Sequence, residues 1–178
     1  MGELELKLDF EHFPGRSFTL LLFKDVSNAS ELDAAIKSGS LKTEMAIMNA
    51  AMIGDAFVAH LAAFQALVAS SREKLRTRTL HAEVVFYIAA SKQISESFRR
   101  FGVSDKAKHV LVGIFDASPD AVKAAKDAVK GTQVSVDQLP TLMDRDALVK
   151  HHGIEDAEQE LSSLVECVVG RVGGRVTA

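Results

Sequence analysis

Leu4, Leu6, Leu8 and Phe10 alternate with Glu3, Glu5, Lys7 and Asp9 at the start of the chain. A period of two predicts a strand with one buried face. Pro14-Gly15 supplies a turn at the end of the His12 to Gly15 segment. Phe18 to Phe23 then runs apolar without a break, as a strand covered on both faces does. Together the two segments predict a hairpin.

Asn28 is placed to cap a short helix from Ala29 to Lys37, which Ser38-Gly39 ends. The alanine- and methionine-rich stretch from Leu41 to Ile53 has no assignable period. Asp55 is a good N-cap for a longer helix, in which Phe57, Leu61, Phe64 and Val68 form an apolar stripe at helical spacing. Ala56, Ala59, Ala62, Ala63, Ala66 and Ala69 occupy its other positions, and small residues on several faces predict a central helix with close neighbours. Thr79 caps a further helix with Leu80, Val84 and Ile88 on one face. Ile94, Phe98 and Phe101 mark another, which Gly102 stops.

Val110 to Phe115 reads as a buried strand, and Ser118-Pro119-Asp120 as a helix start with proline at the first helical position. That helix carries Val122, Ala125 and Val129 and ends at Lys130-Gly131. Thr132 to Val136 predicts a last short strand, and Leu139 to Val149 one or two short helices. Ala157, Leu161, Leu164 and Val168 share a face of one final helix, followed by a glycine-containing tail from Gly170 that is expected to be flexible from about residue 171. The pattern predicts a single α/β domain of the α+β type over residues 1–178, with a small mixed or antiparallel sheet of about four strands packed against several helices.

Composition narrows the function classes. With 178 residues, 47% hydrophobic and 25% charged, the chain can bury a full core without staples. A net charge of −3 lacks the basic surplus of proteins that grip long stretches of nucleic acid, so any such contact must be local or shared with partners. Cys167 is the single cysteine, which leaves no disulfide or thiolate zinc cluster and fits a reducing compartment. No apolar stretch approaches the roughly 20 residues of a membrane span. The start Met1-Gly2-Glu3-Leu4-Glu5 lacks a signal-peptide layout, and Leu6 stands where a myristoylation motif takes Ser or Thr. The expected location is cytoplasmic and nuclear.

Catalytic, cofactor and metal sites are not expected. Neither signature phosphate-cradling glycine loop occurs, and Gly170, Gly173 and Gly174 follow a helix instead of opening one. The adjacent pair His151 and His152 points too far apart to chelate one metal and predicts a solvated pair near a helix end. Cys167, among Val165, Val168 and Val169, reads as a buried structural thiol. Asp144 with Asp146, and Glu158 with Glu160, lie on short polar surfaces and read as solvated. One polar stretch is unusual: Arg72, Lys74, Arg76 and Arg78 alternate through the segment between two helices. Four cations with hydroxyl donors from Thr77 and Thr79 could hold a phosphate or a few nucleotides. On composition alone the favoured reading is a solvated loop, which would carry Arg72 and Lys74 because they suit the preceding helix's C-terminus.

Several stretches in order carry a resemblance: Phe18-Thr19-Leu20-Leu21-Leu22-Phe23-Lys24-Asp25-Val26; Thr77-Arg78-Thr79-Leu80 with Glu83; Ile94-Ser95-Glu96-Ser97-Phe98 running into Phe101-Gly102-Val103; then Gln133-Val134-Ser135 and Leu139-Pro140. The sequence resembles the PRPK-binding protein family, the small non-catalytic subunit of the KEOPS (EKC) complex. The resemblance covers nearly the whole chain and is weakest at the C-terminus. It implies a mixed α/β domain docked on the N-lobe of the small atypical KEOPS kinase, supporting its ATPase activity. It also implies help in recruiting tRNA through the 3′ CCA end, for threonylcarbamoyladenosine synthesis that a separate metal-dependent transferase completes. On this resemblance Arg72, Lys74, Arg76, Arg78 and Thr79 are candidate tRNA contacts, although only Arg78 and Thr79 fall in the family motif. The candidate kinase interface is Val85, Ile88, Ile94, Phe98 and Phe101, on helices with more apolar residues than one core stripe needs. Two other readings stand beside it, a stand-alone RNA-binding protein and a small-molecule enzyme, the latter requiring a pocket with convergent polar groups.

Overall fold

The computed structural model describes residues 3–174. The hairpin forms as expected, with β1 (Glu5–Asp9) antiparallel to β2 (Ser17–Lys24) in the register Glu5↔Leu21 to Asp9↔Ser17. β2 pairs on its other edge with β4 (Val110–Phe115), which pairs in turn with β3 (Ala46–Asn49). A short β5 (Thr132–Val134) pairs with Leu22 to Lys24 of β2, continuing the edge that β1 begins. The sheet therefore has five strands, all pairs antiparallel, one strand more than the sequence pattern predicts. The extra strand is β3, which lies in the unassigned Leu41 to Ile53 stretch and is followed by a 3-10 turn at Ala50–Met52. At four residues it is too short to show a period of its own.

Helices cover both faces of the sheet. Leu21, Phe23, Val110, Val112 and Ile114 face α1 (Ala29–Ser38) and α5 (Pro119–Ala128), where Leu32, Ala121 and Ala125 meet them. Leu20, Leu22, Leu111 and Phe115 face the larger layer of α2 (Ala56–Ser71), α3 (Leu80–Ile88), α4 (Ile94–Phe101), α6 (Arg145–His152) and α8 (Leu164–Gly173). This is why Phe18 to Phe23 is apolar throughout while β1 alternates. The smaller layer leaves β1 largely uncovered, meeting it through the Lys126–Glu5 ion pair, so Glu5, Lys7 and Asp9 are exposed and Leu6 and Leu8 pack inward.

In α2 the alanine faces are the buried ones. Ala59, Ala62, Ala63, Ala66 and Ala69 are at most 1% exposed, whereas Phe57 of the expected apolar stripe is 55% exposed and Leu61, Phe64 and Val68 are half-buried. Small side chains let α3 and α8 approach closely, and among the larger ones Val58 and Leu67 join the core while Phe57 is turned to solvent. Gln65 seals the α8 contact by donating to the Val172 carbonyl at 2.9 Å.

Caps explain most boundaries. Asp55, Thr79, Ser118 and Asp144 each accept a backbone N–H in the first turn of α2, α3, α5 and α6. Asn28 occupies the cap position of α1 but makes no cap bond. Its amide instead donates to the Ala128 carbonyl and accepts from the Lys130 N–H, at 2.8 and 2.9 Å, joining the start of α1 to the end of α5. That grip ends α5 at Ala128, ahead of the expected Lys130-Gly131. The expected single C-terminal helix is two, α7 (Asp156–Leu161) and α8. Ser163 and Glu166 form a capping box, with Ser163 Oγ accepting from the Glu166 N–H and the Glu166 carboxylate from the Ser163 N–H. The break leaves Leu161 88% exposed while Leu164 and Val168 are buried. α8 runs past residue 171 to Gly173, with Val172 fully buried and Arg171 bonded to Glu158 at 2.8 and 2.9 Å. The last part of the expected tail lies outside the described residues.

Gly113 of β4 faces Leu20 across the ladder, and the Phe18 ring lies directly over it. A Cβ there would stand 2.8 Å from Phe18 Cε2. Gly113→Ala is expected to lower unfolding stability by about 2–3 kcal/mol, read from the urea midpoint. A loss below about 0.5 kcal/mol would mean that the ring moves aside freely.

Candidate functional site

The basic segment forms the loop between α2 and α3, and a buried carboxylate shapes it. Glu83, on α3, is 0% exposed. It accepts the Arg76 N–H at 3.1 Å, the Thr77 N–H at 2.9 Å and the Thr77 hydroxyl at 2.6 Å. A buried charge is tolerated only where hydrogen bonds replace its water, and these donors all come from the loop. Thr79 Oγ1 accepts from the Ala82 N–H and caps α3. The Thr77 hydroxyl therefore donates within the protein instead of to a phosphate, while the Thr79 oxygen is held as an acceptor in the cap. Arg72, Lys74, Arg76 and Arg78 remain on the exposed side of the loop. The Lys74 N–H reaches back to the Ala69 carbonyl, and Glu73 makes the turn at φ 55°. The structure thus gathers the five candidate tRNA contacts on one clamped loop, with Thr79 half-buried in a capping role.

The five candidate kinase contacts separate. Val85, Ile88 and Phe101 are at most 3% exposed and belong to the core between helices and sheet. Ile94 is 40% exposed, and Phe98 is half-buried. On the short helix α4 the i, i+4 and i+7 positions share a face, but its ends meet different surroundings.

A cleft of about 310 Å³ opens between the end of α1, the segment leading into β3, and helices α3 and α4. Ile36, Leu41, Met45, Ala82, Val85 and Phe98 give it apolar walls. His81 and Glu44 are among its polar groups. The Phe115 N–H donates to His81 Nε2 at 3.1 Å, so the ring proton sits on Nδ1. Nδ1 faces a Glu44 carboxylate oxygen at 3.5 Å. Burial pulls the His81 pKa below its ordinary value, against the weaker upward pull of Glu44. Protonation would also set two donors, Nε2–H and the Phe115 N–H, against each other. The two side chains are therefore a neutral imidazole beside a carboxylate, and His81 can donate a hydrogen bond but cannot cycle a proton through Nε2. Neither residue was singled out in the sequence, because 37 positions separate them and no spacing signals the pair. The one available sign was that His81 directly follows the Thr77-Arg78-Thr79-Leu80 motif.

Other titratable groups are structural. Contrary to the expectation of a solvated pair, His151 and His152 pack edge-on against Phe101, with centroids at 4.6 and 5.9 Å. His151 Nε2 lies 2.7 Å from the Ala89 carbonyl. Burial, with His151 and Arg171 nearby, lowers the His152 pKa to about 4. Cys167 is buried, as expected. Asp144 caps α6, and Glu158 pairs with Arg171 instead of standing free in solvent. Among the described residues no group of three or more His, Cys, Asp or Glu side chains could hold a metal ion, and no helix is long and apolar enough to cross a membrane.

Comparison with known proteins supplies an independent result. The family profile described as kinase binding protein CGI-121 matches residues 23–175. A Danio rerio protein named EKC/KEOPS complex subunit TPRKB is 32% identical over 169 residues, covering 94% of this chain and 95% of the relative. EKC/KEOPS complex subunit cgi121 of Aspergillus terreus is 33% identical over 135 residues, covering 73% and 69%. The Schizosaccharomyces pombe protein of that name is 25% identical over 166 residues, covering 89% and 95%.

Two measurements check the site. Glu83→Ala, which leaves the Arg76 and Thr77 donors unpaired, is expected to destabilise the protein by about 3 kcal/mol, with Glu83→Gln losing less. No loss for Glu83→Gln would show that the carboxylate's charge is immaterial to the loop. His152 predicts an acid-side loss of stability. Below pH 6.5 the unfolded histidine takes up a proton that the folded one refuses until about pH 4. Stability should be full above 6.5 and fall across that window by up to about 3 kcal/mol. His152→Gln should flatten the curve in urea titrations at stepped pH; an unaltered slope would assign the effect to other groups.

Proposed function

The chain belongs to the CGI-121 family of kinase binding proteins, and from that premise we propose that it is a non-catalytic subunit of a KEOPS complex. It docks directly on the complex's small atypical kinase and supports the kinase's ATPase activity. It also helps recruit tRNA, through the 3′ CCA end, for threonylcarbamoyladenosine synthesis beside the anticodon. The metal-dependent transferase is an indirect partner, and the working locations are cytoplasm and nucleus. The names of the relatives, all subunits of EKC/KEOPS, support complex membership, and the family's description as a kinase binding protein supports kinase docking.

The observation that carries the RNA part is the clamped loop. Glu83 holds the backbone at Arg76 and Thr77, and α2 carbonyls hold it at Arg72 and Lys74, so the cations Arg72, Lys74, Arg76 and Arg78 are gathered on one loop without a basic surplus in the whole chain. Such a local cluster suits the neutralisation of a few phosphates. For kinase docking, Ile94 and Phe98 supply surface on α4, while Val85, Ile88 and Phe101 stiffen the helices behind it. An exposed isoleucine on a rigid helix is a suitable anchor for the apolar centre of an interface.

Size-exclusion chromatography with light scattering, on this protein and the KEOPS kinase from the same source, should give a single one-to-one peak. Ile94→Asp should weaken that complex at least about tenfold while leaving the thermal midpoint unchanged. Separate peaks from two folded proteins would end the docking reading. For RNA, the double variant Arg72→Glu, Arg78→Glu should lower tRNA affinity at least about tenfold and flatten its salt dependence by about 0.7 per lost contact. Unchanged binding would remove the loop from the RNA surface, and equal affinity for tRNA lacking its CCA end would remove the end recognition.

A further inference from the structure

His81 reaches the cleft from the first turn of α3 and is only 9% exposed. Its Nε2 is occupied by the Phe115 N–H, and its buried Nδ1 donor makes no short hydrogen bond, only a 3.5 Å contact with the Glu44 carboxylate. Buried donors in folded proteins are almost always satisfied by protein or water, so one that borders a cavity with only this long contact is open to an acceptor that a ligand brings. The nearest candidate acceptor, Glu44, stands 3.5 Å away on a side chain that is 66% exposed, so it can turn aside without disturbing the fold. Asp33 and Lys37, also on the cleft wall, satisfy each other as an i, i+4 ion pair at 2.6 Å. Thr79 also lines the cleft, its oxygen held as the cap of α3, so the side-by-side polar pair offered to a ligand is the His81 Nδ1 donor with the Glu44 acceptor, set in apolar walls.

We propose that this cleft binds a compact, planar, neutral ligand whose edge carries a hydrogen-bond acceptor and a donor side by side, as a carboxamide does. The ligand's acceptor takes the His81 Nδ1–H, its donor meets the Glu44 carboxylate, and its apolar body lies among Leu41, Met45, Ala82 and Phe98. Charge selects the class. A carboxylate ligand would face Glu44 with like charge, and an ammonium would bring a second donor to Nδ1. A purely apolar ligand would leave the Nδ1 donor unsatisfied. A volume of about 310 Å³ sits at the lower end of small-molecule pockets and accommodates one ring with its polar substituent. The site does not rest on membership of a KEOPS complex, and its test uses the isolated chain.

Benzamide is the probe, with benzoate and toluene as controls, titrated into the isotope-labelled full chain and followed by two-dimensional NMR. Benzamide is expected to saturate in the millimolar range and to shift the His81 ring and Met45 methyl signals. Benzoate and toluene should bind at least about fivefold more weakly, as each lacks one part of the match. Glu44→Ala, at an exposed position, should weaken benzamide about tenfold with no change in thermal midpoint. Ala82→Leu should fill the cleft and abolish the shifts. If benzamide binds no tighter than the controls, if Glu44→Ala leaves its affinity unchanged, or if the moving signals lie away from the cleft, the proposal is wrong. Should Ala82→Leu fail to fold, the Glu44 variant still decides.

Discussion

The two central strands bury side chains on both faces, and this requirement shapes everything around them. β4 is buried throughout and β2 is buried up to Phe23, so each needs an apolar layer above and below. α1 and α5 meet one side, and the α2-centred layer meets the other. A layer of many helices can approach a sheet only if some of them are slim, and the alanines of α2 provide this. The absence of a side chain at Gly113 serves the same end, because the Phe18 ring occupies that volume and stacks beside Phe115 with centroids 4.7 Å apart.

Polar groups buried in such a frame are informative, since each must be satisfied or cost stability. The first turns of α3 hold two of them in a run of seven residues, Thr77 to Glu83. Glu83 turns toward the preceding loop and organises it. His81 turns toward β4, accepts its last N–H, and presents its remaining donor to the cleft. One short motif therefore orders the basic loop on one side and equips the cleft on the other. This accounts for the prominence of Thr77-Arg78-Thr79-Leu80 with Glu83 in the resemblance, in terms of hydrogen bonds rather than reactivity.

The hairpin, the strand at Val110 to Phe115, and the helices capped by Asp55, Thr79 and Ser118 were legible in the sequence because their signals are local. Period, cap residue and breaker all lie within a few positions of what they specify. β3 was not legible: four residues carry no period, and the strand exists because β4 offers it an edge. The division between α7 and α8 was legible but missed, since Ser163 and Glu166 have the spacing of a capping box while the apolar stripe runs through the break. Asn28 shows the limit of a positional signal, occupying a cap site while its amide reaches across to α5.

The sequence by itself determined the fold class, the order of nearly all elements, the family resemblance and the existence of a cationic stretch before α3. Only the tertiary structure decided that the alanine faces of α2 are the buried ones, and that Val85, Ile88 and Phe101 are core while Ile94 is surface. It alone paired His81 with Glu44 and put His152 out of water's reach. The physical reason is common to all of these. Burial and partner choice depend on groups brought together from distant parts of the chain, and a hydrophobic residue has the same letter whether it faces a sheet, a neighbouring helix or solvent.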